Sequence, residues 1–297
     1  MLRGRLRRFL AASFLCDRGI DNQVLDAASI LVDRRSRRAK TDRLGAAALL
    51  RTLMALERGE PRVCRVVRVP SFEQENDRRR SRERARLVNE RGQHSSRVKG
   101  LIRDFKPARR DWREQLETLC TADGRDLPPC LKNEIKRECR RLWQVIEMIM
   151  EVEAEQRQAA ETTVPGIVQL SHLRGIGLTI ASVMMNEVFF RDFQNRREVA
   201  GYLGLASRPW SSGAVSRDQG IQRSGNPRAR RSAIELGWLW LRHQPDSGLA
   251  RWFHERVGAG KGRIRRIMIV ALARKLIIAL WRYLTQGLLS EGAMTKA

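Results

Sequence analysis

Leu173-Arg174-Gly175-Ile176-Gly177 opens a stretch that continues through Tyr202-Leu203-Gly204-Leu205 and Pro209-Trp210-Ser211-Ser212-Gly213. It ends in Arg223-Ser224-Gly225-Asn226-Pro227-Arg228-Ala229-Arg230-Arg231. Ile167 to Leu170 and Thr179 to Val188 read as helices joined by a tight turn at Gly175 and Gly177. Glycines there let a backbone approach a phosphate, whose charge the amides of the second helix would meet. The spacing fits a helix-hairpin-helix DNA element and a plain helix-turn-helix in a core equally well. Phe193, Val199 and Leu203 continue an apolar helical face. Ser211, Ser212 and Gly213 follow Pro209 in what reads as a loop exposing a hydroxyl. Arg217, Arg223, Arg228, Arg230 and Arg231 are candidate phosphate contacts, because a phosphodiester attacked by a hydroxyl needs cations on its non-bridging oxygens. Arg228 to His243 reads as a helix carrying Trp238 and Trp240, and Ile267 to Leu284 as a strongly apolar helix for the core.

Outward from this stretch, composition names the partner class. The 297 residues hold 58 Lys+Arg against 33 Asp+Glu, a net charge of +25, so polyanions are the expected partners. Arginine predominates, which favours bidentate phosphate contacts over the point charge of lysine. Five cysteines, Cys16, Cys64, Cys120, Cys130 and Cys139, are widely spaced without C-x-x-C, and they read as thiols of a reducing compartment. The four histidines are equally scattered, which argues against a His-built metal site. Arg274, Lys275 and Arg282 interrupt the most apolar segment, so no membrane partner or membrane span is expected, and a cytoplasmic location is.

The N-terminal half reads as three pieces. Leu2 to Leu15 has an amphipathic pattern closed by Asp17-Arg18-Gly19, and Asn22 to Leu25 reads as a short strand of an α/β unit entered halfway. Thr41 caps a helix running to about Leu56, which leaves Asp42 in its first turn, and Arg58-Gly59-Glu60-Pro61 stops it. Ser71 to Ile102 reads as one long charged helix. Beyond it Leu131, Ile135, Cys139, Leu142, Ile146, Ile149 and Val152 recur at spacings of three and four. That heptad-like seam fits an antiparallel helical hairpin or an intermolecular coiled coil.

Ala39-Lys40-Thr41-Asp42-Arg43-Leu44-Gly45-Ala46, the Gly175/Gly177 turn with Thr179-Ile180-Ala181, and the run from Tyr202 through Ser212 to Arg231 together resemble the DEDD-type insertion-sequence transposases. These are bridge-RNA-guided serine recombinases related to the pilin-segment invertases. The resemblance implies a mainly α protein: a truncated α/β RuvC-like, ribonuclease-H-type remnant over 1–65, a helical coiled-coil segment over 66–164, and an all-α C-terminal transposase domain with helix-hairpin-helix over 165–297. It implies Ser212 as covalent nucleophile, Asp42 as a catalytic metal ligand, and Gly175, Gly177 and the arginines as DNA contacts. Mg2+, DNA, a guide RNA and a homo-oligomer are the implied cofactor and partners.

Two departures qualify the chemistry. Gly45 stands where the family's fourth acid is expected, three residues after Asp42, and the first two acids belong on strands preceding Leu2 to Leu15. One carboxylate does not assemble the oxygen set that magnesium requires. The expectation is therefore a transposase whose copy here is N-terminally truncated and catalytically impaired. The competing reading is a non-enzymatic nucleic-acid-binding remnant.

Overall fold

The computed structural model describes residues 11–12, 14–25, 30, 41–60, 63–64, 66–102, 125–163, 165–212, 215–221, 225–258, 260 and 262–296. They form two compact units, Met1–Glu73 and Gln74–Ala297.

In the first unit, residues 11–16 are helical where described and end at Gly19, whose φ of 70° and N–H to the Cys16 carbonyl at 2.9 Å close the turn. The start of the expected Leu2 to Leu15 helix lies outside the described residues. The strand expected at Asn22 to Leu25 contracts to an isolated antiparallel bridge, Leu25 with Val66. A single bridge leaves most backbone groups of such a segment unladdered, and among the described residues the unit has no sheet, so the α/β remnant is not shown. Helix α1, Asp42–Glu57, is the element read from its cap: the Thr41 hydroxyl accepts from the Leu44 N–H at 3.3 Å. Gly59, at φ 72°, follows its last turn.

The second unit begins within the 30-residue helix α2, Phe72–Leu101, and continues into the 35-residue helix α3, Pro129–Thr163. The seam closes within the chain. Val98 packs with Leu127, Ile135 and Cys139, and Leu87 with Val145, Ile149 and Val152. Partners ascend α3 as they descend α2, so the helices are antiparallel. Of the two arrangements that the spacing allowed, the hairpin is present. An ion pair and a hydrogen bond edge it: Arg84 to Glu153 at 2.6 Å and His94 Nδ1 to Glu138 at 2.7 Å. The His94 hydrogen bond, against the opposing effect of burial and with help from Arg141 and Arg97, holds the Glu138 carboxyl below its ordinary value. The four described cysteines form no disulfide among themselves.

The C-terminal part runs α4 (Pro165–Ser171), α5 (Leu178–Met184), a π turn (Met185–Phe189), α6 (Arg196–Tyr202), β1 (Ser207–Ser212), β2 (Val215–Ile221), α7 (Pro227–His243), α8 (Gly248–Val257) and α9 (Arg263–Gln286). Its core joins Leu170, Ile176, Met184 and Leu203 to Leu236 and Trp240 of α7 and Leu276 and Ile277 of α9. The apolar run from Ile267 is thus central, as expected, and among the described residues no helix is long and apolar enough to cross a membrane. One expectation fails here: the domain is not all-α. β1 and β2 pair antiparallel, with Ser211 opposite Ser216 and Ser212 opposite Val215. The segment read as a loop is a strand, because its backbone groups are satisfied across a local ladder whose sequence carries no regular apolar alternation.

Candidate nucleic-acid interface

Ser212 is the last residue of β1, and Arg217 of β2 stands opposite Trp210. Two residues, Gly213 and Ala214, separate the strands in the sequence. Ser212 is therefore at the hairpin end, one residue from the connection. Arg223 lies outside the described residues.

Beyond the hairpin the chain is fixed at Gly225 and Asn226. Gly225 has φ 94°, and a Cβ there would collide with the Tyr202 carbonyl. Only a residue lacking Cβ lets this turn lie against the end of α6. Asn226 is bound three ways: its N–H donates to the Tyr202 carbonyl at 3.1 Å, its Oδ1 accepts from Arg228 and Ala229 as the cap of α7, and its Nδ2 donates to Glu187 Oε2 at 2.9 Å.

Glu187 is the centre of a buried polar cluster that ties α2 to this turn. It sits on the π turn, 5% exposed, and its Oε1 accepts from Arg82 Nε of α2 at 3.0 Å. Arg82 also donates to Glu75 at 3.0 Å. One turn earlier Arg78, 3% exposed, donates from Nε to the Asn186 carbonyl at 2.7 Å and lays its guanidinium 4.0 Å from the Phe190 ring centroid. Its Nη2 has no hydrogen-bond partner among the described residues, which the ring face partly offsets. Burial alone would raise the Glu187 carboxyl. The Arg82 hydrogen bond and charge, the Asn226 amide and the Arg228 charge outweigh it and hold the group below 4.5. Arg228 is pushed down, first by burial, against the attraction of Glu187, with repulsion from Arg82, Arg86 and Arg84 added.

The expected phosphate contacts divide accordingly. Arg228 donates to the Ser81 carbonyl and, at 2.8 Å, to the Ser81 hydroxyl. Arg230 donates to the Leu203 carbonyl at 3.0 Å. Both guanidiniums thus hold the fold, half-buried. Arg231, one residue on, is exposed on the first turn of α7. The cluster of Arg78, Ser81, Arg82 and Glu187 was not read from the sequence. Its one local signal is Glu187, an acid inside the apolar run Leu178 to Phe190, where a carboxylate must find partners or lose its charge.

The Gly175 turn is present between α4 and α5, and packing explains its first glycine. With φ 84°, a Cβ at Gly175 would meet the His243 Cβ at 3.0 Å and the Leu239 carbonyl at 3.2 Å. Arg174 and Ile176 are also bonded from the C-terminal segment, through Met294 and through Lys296 Nζ at 2.8 Å. Gly177, the N-cap of α5, is exposed with open space around it.

Asp42 is exposed in the first turn of α1, in the other unit, where it compensates the helix dipole. Gly45, on the same side of that helix, supplies no ligand. Among the described residues no group of three or more His, Cys, Asp or Glu could hold a metal ion. The donor set on hand does not fit magnesium, and no step is derived through it.

The chain's relatives name its class. The model of the Transposase IS116/IS110/IS902 family matches residues 168–252, from the start of the Gly175 region into α8. The chain belongs to this family. It is 46% identical over 295 residues to "Putative transposase y4rJ" of Sinorhizobium fredii strain NGR234, covering 94% of this chain and 74% of that protein. It is 28% identical to a "Probable family 20 transposase" of Pseudomonas aeruginosa PAO1, covering 75% of this chain and 67% of that one. The "Transposase for insertion sequence element IS1328" of Yersinia enterocolitica is 26% identical, covering 69% of this chain and 62% of its own.

Proposed function

We propose that this insertion-sequence transposase binds DNA on the basic surface of its second unit and carries its nucleophile at Ser212. The observation that carries this reading is the placement of Ser212 at the end of β1, with Arg231 exposed on the next helix after the hairpin, behind an Asn226 cap. In the proposed step the Ser212 Oγ forms a bond to phosphorus as the bond from phosphorus to a deoxyribose oxygen breaks. The proton lost by the serine is balanced by the one gained by the released hydroxyl. Reversal on a second DNA end rejoins the strand. Arg217, Arg223 and Arg231 would neutralise the non-bridging oxygens. A guide RNA and a homo-oligomer belong to the same reading by resemblance.

The chemistry of this copy is proposed to be impaired, because Asp42 stands without a second acid at Gly45. The same observation favours the second reading, a nucleic-acid-binding protein without turnover. Denaturing electrophoresis of the full chain with labelled duplex DNA separates them. A weak covalent adduct that disappears in Ser212→Ala supports the serine chemistry; binding with no adduct supports the second reading. An adduct equally abundant in Ser212→Ala would sink the assignment of the nucleophile, and rapid metal-dependent cleavage would sink the impairment.

A further inference from the structure

Helix α2 presents one continuous face to two different surroundings. At 100° per residue, Arg78, Ser81 and Arg82 share a side of the helix with Ala85, Asn89, Gly92, Gln93 and Ser96, opposite the Leu87 and Val98 stripe that packs on α3. The first three dock on the C-terminal domain through Asn186, Arg228 and Glu187. Among the described residues the later ones have no such partner. They line an open groove of about 720 Å3 together with Val88, Arg97 and, from α7, Arg231.

The lining has a definite chemistry. Asn89, Gln93 and Ser96 are exposed and offer amide and hydroxyl donors, and Arg231 brings a guanidinium from the facing helix. No acid lines the groove, and burial depresses Arg228 behind Arg231, with repulsion from Arg82, Arg86 and Arg84 added to it. A polyanion in the groove relieves that repulsion. A Cβ at Gly92 would meet nothing within 4 Å, so a side chain placed there projects into the groove. The stripe from Ala85 to Ser96 spans roughly 16 Å at 1.5 Å per residue, about five phosphates of a B-form strand.

We propose that the groove formed by Ala85, Asn89, Gly92, Gln93 and Ser96 of α2 with Arg231 of α7 holds the sugar–phosphate backbone of a DNA strand. The assignment makes the helical arm a DNA-contacting element as well as a spacer, and it rests on DNA being the partner of the second unit. Two substitutions with the same charge change test it. Gly92→Glu places a carboxylate in the groove, and Gly100→Glu places one on the same helix outside it, where a Cβ also meets nothing within 4 Å. Fluorescence anisotropy of the full chain with a labelled duplex DNA, and in parallel with a duplex RNA of equal length, is the readout, with melting temperature recorded for each variant. The expected result is DNA affinity lowered about tenfold by Gly92→Glu and less than about threefold by Gly100→Glu at matched salt, with both variants folded. Equal losses in the two variants, or a loss at Gly92 confined to RNA, would overturn the proposal. Failure of the unsubstituted protein to bind DNA would instead overturn the functional reading beneath it.

Discussion

Glu187→Gln is the most informative change to the fold that carries the hairpin. The substitution keeps the side chain's shape and removes its charge, leaving one acceptor oxygen for two donors, Arg82 Nε at 3.0 Å and Asn226 Nδ2 at 2.9 Å. The new amide NH2 must face one of them, so a buried donor loses its partner. Arg82 then keeps only its bond to Glu75 among the described acids, and Arg228 loses the attraction of Glu187 while the two arginines still repel each other. Removing one partner of a buried ion pair costs roughly 3–5 kcal/mol, and the partial exposure of Arg82, 27%, places this case at about 3 kcal/mol. For a unit of this size that corresponds to a fall of roughly 6–12 °C in the melting temperature. Thermal denaturation by circular dichroism reads the loss, and a double-mutant cycle with Arg82→Gln isolates the pair. A loss below about 1 kcal/mol, or no coupling between the two substitutions, would refute the account of the cluster as a buried tie between α2 and the turn at Asn226.

Three further outcomes follow from the same structure. The Glu187 carboxyl is held below 4.5 in the folded chain, so its stabilisation is complete above that value and is lost as pH falls through the depressed one; Glu187→Gln should flatten the acid side of a melting-temperature profile. Gly225→Ala forces a Cβ onto the Tyr202 carbonyl at φ 94°, and it is expected to cost more than the roughly 1–2 kcal/mol of the left-handed backbone alone, read by urea unfolding. Ile135→Ala, at a fully buried site between α2 and α3, should cost about 2–5 kcal/mol while leaving DNA affinity per folded molecule unchanged.

What the sequence disclosed was local. The Thr41 cap with α1, the seam on α3, and the long helices α2, α7 and α9 each rest on periodicity or on a cap within a few residues of its helix. The groups that remained hidden are paired across long separations. Glu187 and Arg82 lie 105 residues apart, and Arg228 reaches Ser81 across 147, so no window of sequence contains both halves. The hairpin was hidden for another reason: Trp210, Val215 and Ile221 do not alternate regularly with the polar residues of β1 and β2, so no strand period stands out. Gly175 shows the converse hazard. Its glycine signature was visible, but the cause lies in the close approach of His243 and Leu239, which spacing does not report. That Ser212 ends a strand was not legible in the sequence.

The central claim, that the second unit holds a DNA backbone on its exposed arginines, is tested most directly by the salt dependence of duplex DNA binding. Titrations of the full chain, Ser212→Ala and Arg231→Ala across a salt series give the slope of log affinity against log salt. The expected result is a steep negative slope, unchanged by Ser212→Ala and reduced by about 0.9 in Arg231→Ala, the increment for one phosphate contact. Binding that ignores salt, or an Arg231→Ala slope equal to that of the unsubstituted protein, would contradict it.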